Sequence, residues 1–154
     1  MVAERPTLED LQAEDAGVTR YVAGFLFENN QVALIRKLRP AWQKGRLNGI
    51  GGHIEQGESP EAAIVREFEE ETGYKTSITQ WWPFCVLSGK DWVVHFFSSY
   101  GKLDELKSTT DEEVVVLPVG QVSVVNAIPN LTWLIPMAKT IVHESVGSFD
   151  IREV

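Results

Sequence analysis

The chain has 154 residues and a mass of 17.3 kDa, which predicts one folded domain spanning residues 1–154 rather than two. Hydrophobic residues make up 44% and charged residues 23%, a globular composition that excludes long disorder, collagen and coiled coils. The net charge of -8 repels polyanions, so we expect no binding to duplex nucleic acid. Any phosphate group that the protein handles needs a local cation.

Cysteine usage and the first residues predict a cytoplasmic location. The single cysteine, Cys85, has no intramolecular partner for a disulfide. The segment Met1 to Asp10 carries acidic residues where a signal peptide needs basic and then apolar ones. No apolar run approaches the roughly 18 residues of a membrane span. We therefore expect neither export nor insertion into a membrane.

Short apolar runs predict the first strands after a polar N-terminal arm. The runs Tyr21 to Phe27 and Val32 to Ile35 are separated by Glu28-Asn29-Asn30, which suits a turn with left-handed backbone. This pattern predicts a hairpin. The stretch from Lys37 to Arg46 mixes proline, glycine and cations without either hydrophobic period, so it is predicted to be a loop.

The following segment carries start and stop signals for a helix. Ser59 is a good N-cap, Pro60 suits the first helical position and Gly73 suits a left-handed C-cap. These signals predict a helix that ends at Thr72. On a helical wheel, the face expected to be buried contains Ile64, Val65, Phe68 and Thr72.

Further strands and a second helix are predicted beyond this point. The strands are Lys75 to Ile78, Trp82 to Leu87, Trp92 to Ser98, Glu113 to Leu117 and Phe149 to Val154. Asn130 is expected to cap a helix from Leu131 to about His143. Its apolar stripe contains Leu131, Leu134, Ile135, Ala138 and either Ile141 or Val142. Strands interspersed with two helices predict an α/β fold with helices packed on a mixed sheet.

The first helix carries clustered glutamates on one side. Glu67, Glu70 and Glu71 stand at i, i+3 and i+4, where like charges destabilise a helix. They also lie towards its C-terminal end, where the helix dipole disfavours anions. A divalent cation such as Mg²⁺ would compensate, because it binds carboxylate oxygens and keeps other positions for water or phosphate. The alternative interpretation is a solvated acidic surface.

From Gly52 the chain runs five residues to Glu58 and seven more to Arg66, and then reads Glu-Phe-Glu-Glu-Glu-Thr-Gly-Tyr as far as Tyr74. This segment resembles the Nudix box at all nine positions that the motif specifies. The box occupies 23 of the 154 residues. The flanking order of strand, loop, strand and helix also resembles that family. The resemblance implies a Nudix-type α/β/α sandwich with a mixed β-sheet.

What the resemblance implies for chemistry is hydrolysis of a nucleoside diphosphate linked to a further group X. Water attacks at phosphorus, assisted by a divalent metal. Carried over to this sequence, Glu67, Glu70 and Glu71 are both the catalytic and the metal-binding carboxylates, and the backbone carbonyl of Gly52 adds a ligand. The implied cofactor is Mg²⁺, for which Mn²⁺ can substitute.

Other acids near the motif each allow more than one interpretation. Family members often recruit one more acid from a loop outside the box, and the candidate here is Asp111-Glu112-Glu113. We prefer Glu112 over Glu113 as a catalytic residue, with plain surface charge as the alternative. Glu58 either contacts the metal through water or pairs with Arg66, which we interpret as a structural residue that holds carboxylates in place.

Substrate contacts are predicted from the loop that precedes the box. Phosphate oxygens not held by metal need cations, and the candidates are Arg36, Arg39, Lys44 and Arg46, which alternatively only aid solubility. The run from Gly45 to Gly52 resembles the oxidised-purine nucleoside triphosphatases of the family, in which the asparagine corresponding to Asn48 reads the base. Those enzymes have Trp at Leu47 and Lys at His53. A base can also stack on one of the tryptophans Trp42, Trp81, Trp82, Trp92 and Trp133.

The leading hypothesis is a Mg²⁺-dependent pyrophosphohydrolase that acts on a nucleoside triphosphate, including an oxidised one. The first alternative is a nucleotide-sugar or ADP-ribose pyrophosphatase, which a site completed by a homodimer would favour. The sequence leaves the oligomeric state open. The second alternative is a nucleotide-sensing Nudix module without catalysis, against which the complete set of box glutamates argues.

Overall fold

The computed structural model describes residues 17–144 and 149–153. Its elements in chain order are β1 (Thr19–Glu28), β2 (Gln31–Arg36), β3 (Leu47–Asn48), β4 (Ile50–His53), α1 (Pro60–Thr72), β5 (Trp82–Ser88), β6 (Trp92–Tyr100), β7 (Glu113–Pro118), α2 (Leu131–Glu144) and β8 (Phe149–Arg152). The expectations for the N-terminal arm concern residues outside this described part. No helix within it is both long and apolar enough to cross a bilayer.

All eight strands belong to one mixed sheet. Its main path runs β3-β2-β1-β6-β5-β8, while β4 pairs with β1 and β7 pairs with β2. The pairs β1·β6 and β5·β8 are parallel and the other strand pairs are antiparallel. Strand β1 pairs with β4 through Tyr21–Gly24 and with β2 through Leu26–Glu28, so one strand supports both the hairpin and the start of the box.

Helices cover both faces of the sheet because β1 is apolar on both sides. Its residues Ala23, Phe25 and Phe27 pack in one core with α2, whereas Val22 and Leu26 pack in a second core with α1. The predicted α/β fold, an α/β/α sandwich, is confirmed. The predicted stripe of α2 is buried at Leu131, Leu134, Ile135, Ala138 and Ile141.

The boundaries of α1 agree with the predicted signals. The Ser59 hydroxyl accepts a hydrogen bond from the Ala62 N–H at 3.1 Å, and Pro60 occupies the first turn. Gly73 adopts a left-handed φ of 72°, and its N–H donates to the Glu69 carbonyl. Four residues of α1 are fully buried: Ala63, Ile64, Phe68 and Thr72. Val65 is only partly buried.

Two predictions about local structure were wrong. Lys75 to Ile78 is not a strand; the chain instead forms a 3-10 turn at Ile78–Gln80, in which the Gln80 side chain accepts from the Ser77 N–H. Asn130 does not cap α2 with its side chain, because its buried Oδ1 has no hydrogen-bond partner. The first N–H groups of α2 donate to backbone carbonyls instead. In both places local hydrogen bonds replace the pattern that the residue types favour.

Candidate active site

A cavity of about 1040 Å³ opens where β1, β4 and α1 meet the loops that follow β2 and precede β7. Six predicted site residues line it: Arg39, Asn48, Gly52, Glu67, Glu71 and Glu112. Two of the tryptophans named as stacking candidates, Trp42 and Trp92, line it as well. Four others, Glu70, Arg36, Lys44 and Arg46, are not among its lining residues. The fold therefore brings the start of the box, two box glutamates and the loop acid to one place.

Glu67 lies directly against the backbone of Gly52. A Cβ placed on Gly52 would be 2.6 Å from the Glu67 carboxyl carbon and from its Oε2, far closer than atoms can pack. Any side chain at this position would therefore displace the Glu67 carboxylate from where it lies. Strand β4 thus presents bare backbone to a carboxylate of α1.

The two box glutamates in the cavity are partly buried, which changes their acidity. Burial raises the pKa of Glu67, against hydrogen bonding and charge attraction from Arg66. Burial likewise raises the pKa of Glu71, and the hydrogen bond from Thr110 opposes this effect. Each carboxylate also feels like charges nearby. The site consequently favours a cation that restores the charge balance.

Arg66 joins several of the acidic side chains on the outer edge of the site. Its Nε and Nη2 donate to the two oxygens of Glu58 at 2.7 and 2.8 Å. Its Nη1 contacts Glu67 at 2.8 Å and Glu70 at 3.3 Å. The hydrogen bond from Arg66 holds the pKa of Glu58 below its usual value. Of the two roles left open for Glu58, this geometry shows the pairing with Arg66.

Glu70 differs from its two neighbours in the trio. Its side chain is 56% exposed and lines a shallow surface depression together with Arg66 and Glu69, outside the main cavity. The helical spacing therefore places Glu67 and Glu71 inside the cavity and Glu70 at its outer side.

Three consecutive residues before β7 connect the site to neighbouring segments. The Thr110 hydroxyl donates to Glu71 Oε2 at 2.8 Å, and Asp111 forms an exposed ion pair with Arg39. Glu112 accepts from Lys37 Nζ at 2.9 Å and from the Leu38 N–H at 2.6 Å. Residues 110–112 thus contact both α1 and the loop after β2.

Glu112 is buried and ionised. Burial alone would raise its pKa, but the hydrogen bonds from the Leu38 N–H and Lys37 together outweigh that effect and lower it. The neighbouring Glu113 is exposed, its Oε2 lies 3.6 Å from Arg36 Nε, and it is not among the residues that line the cavity. Glu112 thus lines the cavity and Glu113 lies in solvent, while the catalytic role of Glu112 stays a prediction.

The sequence matches the NUDIX domain model over residues 18–136, which is most of the chain. The chain belongs to the NUDIX family. This NUDIX domain is 49% identical over 49 residues to the ADP-sugar pyrophosphatase of Mus musculus, and 46% identical over 46 residues to the 8-oxo-dGTP diphosphatase of Escherichia coli (strain K12). The matches cover 32% and 30% of this chain but only 22% and 36% of those two relatives.

The fold of this NUDIX domain is also similar to a crystal structure of the MutT protein from Bacillus halodurans. The TM-score is 0.68 at 19% sequence identity, and the alignment covers 89% of this chain and 91% of that one. At this identity the similarity concerns the fold alone.

The donor set of this NUDIX domain fits a hard divalent cation with few protein ligands. Within residues 17–144 and 149–153, no three acidic, histidine or cysteine side chains converge tightly enough to form a closed coordination shell. Mg²⁺ does not require one, because it commonly takes one or two carboxylates and completes its octahedron with water and substrate phosphates. The carboxylates of Glu67 and Glu71, which line the same cavity as Gly52, are oxygen donors of this kind.

Some residues of this NUDIX cavity were not predicted as site residues. Lys37 was missed, and Asn130 was interpreted only as a helix cap. Thr110 was also missed; it lies outside the cavity lining and donates to Glu71. Lys37 directly follows β2, and its charge at the end of a strand was the available signal. The role of Asn130 depends on where the loop before α2 reaches the sheet, which local sequence does not reveal.

Proposed function

We propose that the protein hydrolyses a pyrophosphate bond in a nucleoside diphosphate derivative, with Mg²⁺ as cofactor and Mn²⁺ as a substitute. The observation that carries this proposal is the shared cavity, in which Gly52, Glu67 and Glu71 lie with the cations Lys37 and Arg39. On a chain of net charge -8, this is a place where polyphosphate finds both metal ligands and positive side chains.

The metal would be held by Glu67 and Glu71, with the Gly52 carbonyl as a further ligand and Glu70 at the outer side. A bound Mg²⁺ supplies charge neutralisation for the phosphate oxygens and polarises the attacking water. Glu112 keeps free lone pairs beside its bonds to Lys37 and the Leu38 N–H, and these can orient that water. Arg66 holds the outer carboxylates in place, because its one guanidinium contacts Glu58, Glu67 and Glu70.

Phosphate binding is assigned to the cations that line the cavity. Lys37 pairs with Glu112, and the exposed Arg39 pairs with Asp111. Each cation can exchange its carboxylate partner for a phosphate oxygen, because carboxylate and phosphate are both anionic acceptors. Arg36, Lys44 and Arg46 keep their role as predicted contacts of the outer phosphate, although none lines the cavity in this structure.

Nucleobase recognition is supported by two asparagines and an exposed indole. Asn48 and Asn130 both line the cavity, as does Trp42, which is 61% exposed. Asn130 Oδ1 is buried without a partner, a situation that costs about 1–3 kcal/mol and that an N–H group of a base would relieve. Trp42 offers a face on which a base can stack.

These features favour a nucleoside triphosphate, including an oxidised purine one, as the substrate. The similarity to the 8-oxo-dGTP diphosphatase of Escherichia coli supports this choice. The similarity to the mouse ADP-sugar pyrophosphatase keeps a nucleotide sugar or ADP-ribose as the second candidate. Cytoplasmic residence remains a prediction from the sequence, and the oligomeric state remains open.

A substrate panel tests the proposal. Canonical and oxidised nucleoside triphosphates, nucleotide sugars and ADP-ribose are incubated with and without Mg²⁺, and the products are identified by mass. We expect Mg²⁺-dependent cleavage between phosphorus atoms, fastest for a triphosphate. Glu71→Gln should lower kcat/KM by about two orders of magnitude or more. Glu69→Gln, on the same helix but outside the cavity, is the matched control. Equal turnover of Glu71→Gln and wild type at saturating Mg²⁺ would contradict the assignment.

A further inference from the structure

Thr110 makes two hydrogen bonds that define the direction of its hydroxyl proton. Its Oγ1 accepts from the Glu112 N–H at 3.2 Å and donates to Glu71 Oε2 at 2.8 Å. A backbone N–H can only donate and a carboxylate can only accept, so the single hydroxyl proton must point at Glu71. Thr110 therefore donates to Oε2 of Glu71 and makes no bond to Oε1.

The loop that carries Thr110 is held to α1 by contacts that do not involve this hydroxyl. The Lys107 N–H donates to the Thr72 carbonyl at 3.0 Å, and the Thr109 N–H donates to the Glu71 carbonyl at 3.3 Å. The Thr109 hydroxyl also donates to the Glu70 carbonyl. These bonds satisfy carbonyls that the end of a helix leaves without partners. Removing the Thr110 hydroxyl thus leaves these three bonds between the loop and α1 intact and breaks only the hydroxyl's own bonds to Glu71 and to the Glu112 N–H.

The Glu71 carboxylate needs an external constraint to stay in one place. A glutamate side chain has three rotatable bonds, and Glu71 lies near the like charges of Glu67 and Glu112. Repulsion favours rotamers that turn it away from them. The hydrogen bond from Thr110 opposes such a rotation. Thr110 lies in the loop before β7 and not in α1, so it restrains Glu71 from outside the helix.

We propose that Thr110 is a positioning residue, which holds the Glu71 carboxylate in the orientation that binds a divalent cation. This inference rests on the proposed function, because it assumes that Glu71 is a metal ligand. Partners that orient metal ligands in this way typically contribute 10–100-fold to metal affinity or activity. Since the Thr110 side chain is exposed, we expect an effect near the lower end, about 10-fold.

The test is Mn²⁺ binding, measured by calorimetry and by the Mn²⁺ electron paramagnetic resonance signal in the absence of nucleotide. Thr110→Val removes the hydroxyl and keeps the shape, and should weaken Mn²⁺ binding about 10-fold. Thr110→Ser retains the hydroxyl and should restore it. Thr109→Val breaks the neighbouring bond to the Glu70 carbonyl, so it should lower the melting temperature but bind Mn²⁺ as the wild type does.

Unchanged Mn²⁺ affinity in Thr110→Val would overturn the inference and leave the proposed function standing. Equal weakening in Thr109→Val, or no recovery in Thr110→Ser, would also overturn it, because the effect would then belong to the loop as a whole. If the wild-type chain neither binds Mn²⁺ nor hydrolyses any member of the substrate panel, the proposed function fails and the inference fails with it.

Discussion

The Arg66 guanidinium shows how one residue makes a cluster of carboxylates compatible with a folded helix. It bridges Glu58, Glu67 and Glu70, and its Nη2 also donates to the His53 carbonyl at 2.9 Å. Pairing with Glu58 raises the pKa of Arg66, so its charge is always present. A planar group with five donors can serve these acceptors together, which a lysine ammonium cannot do in the same geometry. The acidic site therefore depends on a basic residue that is outside the cavity lining.

Glu112 gives a prediction about how the free energy of unfolding depends on pH. Its folded-state pKa lies below the ordinary value of 4.5, so the unfolded chain takes up its proton at a higher pH than the folded chain does. The stability that Glu112 contributes is complete above about pH 4.5 and is lost as the pH falls through the depressed pKa. Glu112→Gln should cost about 2 kcal/mol of unfolding free energy at pH 7, and less at pH 3.5.

Urea denaturation at the two pH values measures this difference. Glu113→Gln is the matched control, since Glu113 is the adjacent residue but its side chain is 66% exposed, and it should change stability by less than about 1 kcal/mol. A Glu112→Gln penalty that is the same at both pH values would mean that the charge of Glu112 is not what holds the loop.

Among the elements, α1 carries the site because its two ends are fixed independently. Ser59 caps its N-terminus, Gly73 ends it, and residues 107–109 bond to its last carbonyls. Phe68 packs edge-on against Trp81 with ring centroids 5.0 Å apart, so the buried face is held as well. A rigid helix keeps Glu67 and Glu71 at a constant spacing from β4.

The C-terminal cap of α1 gives a prediction about stability. Gly73 has a φ of 72°, and a Cβ there would meet only Thr109 Cγ2 at an ordinary 3.4 Å. Gly73→Ala should therefore cost backbone strain without a clash, about 1 kcal/mol, which corresponds to a melting temperature lower by about 2–4 °C. Gly120→Ala is the control, because Gly120 has no positive φ and no atom within 4 Å of an added Cβ.

Differential scanning calorimetry measures the melting temperatures of the two variants. A loss in Gly73→Ala with little change or a slight gain in Gly120→Ala agrees with a conformational origin. Equal losses at both positions would point instead to a general effect of adding a methyl group.

For the molecule as a whole, metal binding and folding should be coupled. Burial raises the pKa values of Glu67 and Glu71, so in the metal-free protein their ionised forms oppose folding, and increasingly so as the pH rises above 4.5. The overall charge of -8 acts in the same direction. A cation bound between these glutamates offsets their unfavourable contribution to the free energy of folding.

We therefore expect Mg²⁺ to stabilise the protein. At 100 times its dissociation constant, Mg²⁺ should add about 2.7 kcal/mol, or roughly 5–10 °C in melting temperature. Glu71→Gln should melt at a higher temperature than the wild type without metal at pH 7, and should lose most of the increase with Mg²⁺. Thermal melts with and without Mg²⁺, beside Glu69→Gln, measure both effects. A wild-type melting temperature that does not respond to Mg²⁺ would exclude this coupling.

Predictions that rest on residues adjacent in sequence agree with the structure better than predictions that depend on contacts between distant residues. The limits of α1 and the hairpin turn at Asn29, whose φ is 54°, follow from residues adjacent in sequence, and they were predicted closely. Lys75 to Ile78 has β-forming residues but no neighbouring strand, and the bond from the Ser77 N–H to Gln80 forms the 3-10 turn instead. A strand exists only where another strand pairs with it, which local composition cannot show.

By itself, the sequence determined the family, the fold class and the identity of the box glutamates, because caps, periodicity and motif spacing are local properties of the chain. Only the tertiary structure decided that Glu67 and Glu71 enter the cavity while Glu70 stays outside, and that Glu112 rather than Glu113 turns inward. It also decided that Lys37 and Asn130 line the cavity and that Thr110 bonds to Glu71 from outside it. These outcomes depend on strand register and on loops distant in sequence meeting across the sheet. The positions of these residues relative to one another are set by the packing of the whole domain.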